Sequence, residues 1–306
     1  MTTTPKHHAT PGFDGLLLID KPAGMTSFDV VARVRRALRI KRVGHTGTLD
    51  PLATGLMGVL VGRATRLSPY ITAADKRYEA RFRLGVVSDT YDRQGEISTH
   101  APEERVNKIS QGDIAASLSL FRGCIDQVPP VYSAIKVKGE RAYARARRGE
   151  HVELSARQVN VHALDVEAFA AGEGTLSIHC SKGTYVRSLV HDMGQALGTG
   201  AIMTELRRTA VGQWQIAEST PLDTFCELTE AGRTLPLISM WRALDDLPAL
   251  TLTAHQTRLI RHGNRFALEA TPAGRYRVAD ESRSLLAIVA VDAEGLVRVE
   301  RGVPSK

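Results

Sequence analysis

The chain has 306 residues, 43% hydrophobic and 24% charged, which is long enough for two domains and has the composition of an ordinary globular protein. No apolar run approaches the roughly 20 residues of a membrane span, no secretory signal opens the chain, and Cys124, Cys180 and Cys226 are too scattered for a disulfide framework or a cysteine zinc site, which predicts a reducing, cytoplasmic home. The net charge is +7, yet residues 31–83 carry 12 basic and three acidic side chains, and residues 136–148 six basic and one acidic; positive charge so gathered is the footprint of a phosphate-bearing partner.

Residues 1–12, MTTTPKHHATPG, hold two prolines and no periodicity and read as a flexible arm, with His7 and His8 lacking partner ligands nearby. The apolar run Gly15-Leu16-Leu17-Leu18-Ile19 reads as a strand ended by Lys21-Pro22. Thr26 or Ser27 can cap the next helix, where Val30, Val31, Val34 and Leu38 share one face and Arg33, Arg35, Arg36 and Arg39 the other. One side of that helix packs, and the other can meet phosphates.

The stretch Gly44-His45-Thr46-Gly47-Thr48-Leu49-Asp50-Pro51-Leu52-Ala53-Thr54-Gly55 has three glycines and a proline, the makings of a tight loop that fixes the Asp50 carboxylate beside a residue of locked φ. Taken locally, an Asx-type turn is the simpler account. From Tyr78 to Leu84 apolar and charged residues alternate, the signature of a half-buried strand in an antiparallel sheet. Asp89 to Glu96 has its carboxylates at the wrong spacing for a calcium loop. Leu176–Cys180 reads as a strand, Ser181-Lys182-Gly183 as a tight turn, and the stretch through Val190 and Met193 as a helix stopped by Gly198.

Strands and helices mix without regular βαβ alternation, so the fold class is α+β with a mixed, mainly antiparallel sheet. Leu244-Asp245-Asp246-Leu247-Pro248 reads as a linker between a main domain, residues 13–247, and a small β-rich module, residues 248–306, whose first helix is expected over Ala254–Arg261. There is no G-x-x-x-x-G-K-[ST], no G-x-G-x-x-G after a strand and no H-E-x-x-H, so nucleotide hydrolysis, dinucleotide redox chemistry and zincin hydrolysis lack their equipment.

The loop string, with Leu18-Ile19-Asp20-Lys21-Pro22-Ala23-Gly24-Met25-Thr26-Ser27 before it, resembles the active-site region of the TruB family of tRNA pseudouridine synthases. Asp75-Lys76-Arg77-Tyr78, Val128-Pro129-Pro130-Val131-Tyr132-Ser133-Ala134, Ser181-Lys182-Gly183-Thr184-Tyr185-Val186-Arg187, and Gly200-Ala201 followed by Leu206-Arg207-Arg208 resemble that family's later motifs, in its order. The resemblance implies a catalytic domain of the pseudouridine synthase type, a C-terminal PUA-like RNA-binding domain, and isomerisation of the T-loop uridine of tRNA by base flipping. It implies no metal and no organic cofactor. Nothing in the sequence demands a membrane, an obligate protein partner or more than a monomer.

By the same resemblance Asp50 is the catalytic aspartate. The reaction breaks an N-glycosidic bond, turns the uracil and rejoins it through carbon, so a carboxylate beside the sugar can act as nucleophile, base or electrostatic partner. Arg187 and Asp92 are expected to complete its network; without the resemblance they would read as a surface ion pair. Tyr78 falls where the family stacks a tyrosine on uracil, and it also begins the inward face of its strand. Tyr185 matches a further active-site tyrosine, Leu206 an apolar wall, and Lys21 a motif flanking the site. His45 matches a histidine that occupies the T-loop and stacks on RNA while the uridine turns out, at a few kcal/mol of unstacking. Arg33, Arg36, Lys136 and Arg148 are expected to hold backbone phosphates, with Tyr132 and Tyr143 interleaved, and Arg258, Arg261 and Arg265 are the module's best RNA contacts. A glycosidase, an RNA-binding protein without turnover and a synthase for another RNA are the competing readings.

Overall fold

The apolar run near the start forms strand β1 (Gly15–Lys21), in which Leu16, Leu17, Leu18 and Ile19 are all buried. The computed structural model describes residues 13–304 apart from 134, 138 and 282. The arm expected at residues 1–12 and Ala134 of the fourth motif lie outside the described residues, as does Lys138 in the second basic stretch.

Helix α1 (Ser27–Leu38) starts at a reciprocal cap: Asp29 N donates to Thr26 Oγ1, and Thr26 N donates to the Asp29 carboxylate. Its buried stripe is Val30, Val31, Val34 and Leu38, the face expected from the spacing, whereas Arg36 is exposed. Strands β2 (Val43–His45) and β3 (Thr54–Val61) follow, then β4 (Lys76–Leu84), where Ala80, Phe82 and Leu84 are buried and Glu79, Arg81 and Arg83 exposed. The alternation read from Tyr78 onward is therefore a real two-sided strand. The longer path of the main sheet is completed by β5 (Gly123–Gln127), β6 (Arg157–Ala170), β7 (Glu173–Cys180), β8 (Ala201–Val211) and β9 (Thr220–Pro221), and the two-residue strands Trp214–Gln215 and Ile238–Ser239 pair at its side with β8 and β1.

The strands run in the order β9-β1-β3-β8-β4-β7-β6-β5, with β2 paired to β3. Every joint on that path is antiparallel except β1–β9 and β3–β8. The β3–β8 joint aligns Thr54 with Arg207 and Gly55 with Arg208, and it brings the two halves of the sheet together. Gly55 has φ of 103°, and a Cβ there would lie 2.3 Å from the Arg208 carbonyl oxygen, so only glycine allows this approach.

Helix α2 (Val186–Ala196) lays Val186, Leu189, Val190 and Met193 on Leu176, Ile178 and Met203 of the sheet. Helices α1 and α3 (Leu222–Glu230) cover Leu17, Ile19, Met57 and Val59 on β1 and β3. The other face of β1 and β3, with Leu16, Leu18, Leu56 and Leu60, packs against Trp214, Leu244, Leu285, Ile288 and Val303.

Leu285 and Ile288 belong to a second, four-stranded sheet, β10 (Ala249–Thr251), β11 (Gly274–Ala279), β12 (Leu285–Val291) and β13 (Val297–Gly302), in that order, and Val303 directly follows its last strand. Helix α4 (Ala254–Arg261) precedes β11, as its periodicity suggests. The segment read as a linker is anchored at its start, while Asp245, Asp246 and Pro248 are exposed. Leu244 is 3% exposed, and Arg277 of β11 pairs with Asp245, donates to the Trp241 carbonyl at 2.8 Å and lies over the Trp241 ring. Polar composition hid this, because its anchor comes from a strand some 30 residues on. Among the described residues no helix is long and apolar enough to cross a membrane.

Candidate active site

The glycine-rich loop between β2 and β3 is tied down from three directions. Gly24 N donates to the Pro51 carbonyl at 2.8 Å, Ser27 Oγ donates to the Leu49 carbonyl at 3.1 Å, and Leu49 N donates back to Ser27 Oγ at 2.8 Å. Lys21 is fully buried beneath the loop, its Nζ donating to the Pro22 and Pro51 carbonyls at 2.8 and 3.3 Å. From β8, buried Arg208 donates to the carbonyls of Leu56 at 2.7 Å and Gly47 at 3.3 Å. The loop carbonyls that the turn leaves unpaired thus meet cationic donors.

This scaffold leaves the Asp50 carboxylate one-third exposed, facing Arg187 on the first residues of α2. Arg187 Nε donates to Asp50 Oδ2 at 2.9 Å, while its two other nitrogens donate to the carbonyls of Thr90 and Tyr132 at 2.8 and 3.0 Å. Asp92 lies on the same Nε at 3.6 Å and is 3% exposed. Its Oδ1 accepts from Thr90 Oγ1 at 2.8 Å and from Gln94 N at 2.9 Å. A buried carboxylate so placed has its hydrogen-bond partners and its counter-charge supplied by the protein. The group of one arginine and two aspartates therefore carries one net negative charge, at its exposed end.

A cleft of about 280 Å³ opens above Asp50, walled by Tyr78, Leu206, Tyr185, Val186 and Lys76. Burial pushes the Tyr78 phenol upward, opposed by the Arg208 guanidinium beside it, so the phenol is neutral at pH 7. Burial lowers Lys21 to about 8, with the Asp50 charge pulling the other way, and lowers Lys76 to about 8. Lys76 Nζ is held by the Thr72 and Ala74 carbonyls.

The model of the TruB family pseudouridylate synthase N-terminal domain matches residues 35–186, and that of the tRNA pseudouridylate synthase B C-terminal domain matches residues 187–235. The chain is 42% identical over 287 residues to a tRNA pseudouridine synthase B of Thermobifida fusca, covering 89% of this chain and 95% of the relative. It is 40% identical over 300 residues to that of Burkholderia pseudomallei, covering 96% and 98%. The chain belongs to the TruB family of pseudouridylate synthases. Among solved structures, the fold is similar to a Cbf5-Nop10-Gar1 complex, with a TM-score of 0.72 at 24% identity over 95% of this chain and 85% of that one. An H/ACA RNP bound to a substrate RNA containing 2'-deoxyuridine gives 0.69 at 23%, over 95% and 85%. The α+β, mainly antiparallel fold expected from the sequence is thus that of a pseudouridine synthase.

For a TruB chain the placement of the sequence-derived residues is informative. Asp50, Tyr78, Tyr185, Arg187 and Leu206 line one cleft. Asp92 and Lys21 lie behind its wall, buried, one on Arg187 and the other under the loop. His45 ends β2 outside the cleft lining; its Nδ1 accepts from Gly47 N at 3.3 Å, and burial lowers its pKa, so the ring is neutral at pH 7. Arg33 pairs with Asp223 at 2.7 Å, and Arg148 pairs with Glu140 at 2.6 Å and Glu150 at 2.7 Å. Arg36 and Lys136 are exposed and pair with no acid among the described residues.

Arg208, Lys76 and Ser27 hold or line the site but were not singled out from the sequence for those roles. For Arg208 a signal existed: two residues after Leu206 and two before Ala210, it falls on the inward face of β8. Nothing local marks Ser27, because its partner is 22 residues away.

Proposed function

We propose that the chain isomerises the T-loop uridine of tRNA to pseudouridine, with Asp50 as the catalytic group and with neither metal nor organic cofactor. The observation that carries this reading is the Asp50 carboxylate, held 2.9 Å from buried Arg187 at the floor of a cleft walled by Tyr78 and Leu206. The relatives' common name, tRNA pseudouridine synthase B, supports the substrate.

The flipped uracil stacks on Tyr78 against Leu206, with its ribose over Asp50. The bond from C1' to N1 breaks, the ring turns, a bond from C1' to C5 forms, C5 loses its proton and N1 gains one. Electron deficiency at C1' peaks in the cleavage step, and one net negative charge fixed beside it lowers that barrier whether the carboxylate bonds to carbon, takes a proton or only stabilises charge. The neutral phenol of Tyr78 offers an oxygen near C5.

Outside the cleft, His45 takes the place of the extruded base, Arg36 and Lys136 hold phosphates directly, and Arg33 and Arg148 do so after releasing their acidic partners. Residues 13–247 are the catalytic domain and residues 248–306 a PUA-like RNA-binding domain. The protein acts as a monomer and needs no obligate protein partner. A reducing, cytoplasmic setting suits the three free cysteines.

The test incubates the protein with an unmodified tRNA transcript and maps pseudouridine by carbodiimide-dependent primer-extension stops, with Asp50→Asn alongside. A single T-loop stop with wild type, lost in a variant that still binds the tRNA, is the expected result. Binding by wild type with no stop would overturn the reading.

A further inference from the structure

Across the sheet from the cleft, three side chains converge that the isomerisation does not use. Asp75 immediately precedes β4, His179 lies on β7, and His162 on β6, so three neighbouring strands meet at one point. The β6–β7 ladder shifts register between Val161 and Ala163, pairing Cys180 with Val161 and His179 with Ala163, which makes His162 the bulge residue between them. Bulges of this kind re-aim side chains. His162 Nε2 lies 3.0 Å from Asp75 Oδ2, and the two imidazole rings are 4.6 Å apart, tilted by 42°. One donor atom from each of the three lies within 4.8 Å of the other two.

We propose that Asp75, His162 and His179 bind one divalent cation of the zinc class on the outer face of the sheet. Two imidazoles and one carboxylate are a donor set suited to zinc, and the partial exposure of Asp75 and His162 leaves the remaining position to water. Tetrahedral ligands about 2.0–2.1 Å from zinc stand roughly 3.3 Å apart. The Asp75–His162 pair already has that spacing, and a side-chain rotation of His179 supplies the rest. In the metal-free arrangement His162 Nε2 carries a hydrogen toward Asp75 and Nδ1 faces the Asn160 amide at 3.4 Å. Metal binding takes Nε2, moves the hydrogen to Nδ1, and turns the Asn160 amide so that its oxygen accepts it.

One neighbour opposes the cation. Arg77 pairs directly with His179 in the β4–β7 ladder and so shares its face. Its guanidinium weakens the site, and its removal is a test that a plain histidine–carboxylate cluster would not respond to. The bound ion would staple the entry of β4, whose next residues, Lys76 and Tyr78, line the cleft from the opposite face.

The experiment uses the full chain, stripped with chelator and titrated with cobalt(II) chloride while visible absorbance is followed, then with zinc chloride against a chromophoric chelator. One equivalent is expected, with a melting temperature raised by zinc. His162→Gln, His179→Gln and Asp75→Asn should each weaken binding by at least roughly tenfold and abolish the thermal shift while keeping the wild-type circular dichroism. Arg77→Gln should tighten binding, and a variant lacking His7 and His8 should bind as wild type does. Absence of a saturable cobalt band, or a band that persists in His162→Gln and His179→Gln, or one lost only with His7 and His8, overturns the site.

Discussion

Arg187 is the residue on which the cleft's electrostatics turn, since it neutralises a fully buried aspartate and leaves the charge of an accessible one. Arg187→Ala strands Asp92 without a counter-charge, and breaking a buried pair in this way costs about 3–5 kcal/mol. We expect the variant to lose that much in urea melts as well as its activity, whereas Arg187→Ala combined with Asp92→Asn should recover most of the stability and none of the activity. Equal instability in the single and double variants would show that Asp92 is not the group Arg187 offsets. Lys76 supplies a pH signature. Its ammonium titrates near 8 when folded and near 10.5 when unfolded. Between those values the unfolded chain still holds the proton and the folded chain has released it, so this group makes stability rise with pH; below them both states are protonated and the buried charge costs in full. The urea midpoint of wild type should therefore gain on that of Lys76→Met from about pH 8 to about pH 10. A constant gap between the two would refute the depressed value.

At the scale of elements, the sequence was most legible where a short period governs. The α1 stripe and the β4 alternation depend on residues within a turn or two of each other, and the helix cap at Thr26 is completed by Asp29, three residues on. The site was legible only because the loop string and its later motifs resemble a family's; periodicity gives no hint that Asp50 and Arg187, 137 residues apart, share a hydrogen bond. Nor could it show that Arg33 faces Asp223 across two helices. Gly55 is a case between these. Its place in a glycine-rich loop suggests freedom of turning, but the structure gives it a sharper duty, at the β3–β8 joint where Arg208 both pairs in the ladder and braces the loop at the Gly47 carbonyl. Gly55→Ala would need a disfavoured φ and would press a methyl group into the Arg208 backbone. The joint should open, with a loss of several kcal/mol in a urea melt and a larger fall in kcat than in RNA affinity. A variant of unchanged stability would mean that the two strands can part without consequence.

At the scale of the whole molecule, the question is whether the C-terminal sheet is a handle for RNA or a wall of the core, and the packing says that it is at least the latter. Leu285, Ile288 and Val303 share one cluster with Leu16, Leu60, Leu67 and Trp214 of the catalytic part. Arg63 and Arg66 donate to the carbonyls of Pro304 and Gly302, and Arg277 grips the segment before β10. Relative motion is the default only for small, polar interfaces, and this one is apolar at its centre. A chain ending at residue 247 should therefore melt at a lower temperature than the full protein and aggregate, because the faces of β1 and β3 lose their cover. Ile288→Ala, in the full chain, should cost about 2–5 kcal/mol in a single cooperative transition. Replacing Arg258 and Arg265 with alanine leaves that cluster intact, so melting should stay as in wild type while any RNA affinity owed to the module falls. If the truncated chain melted like the full one, the two sheets would be independent bodies, and a loss of tRNA modification on truncation could then be assigned to lost RNA contacts alone. If it melts early, only the arginine pair can report on RNA binding, because truncation removes part of the catalytic core along with the handle.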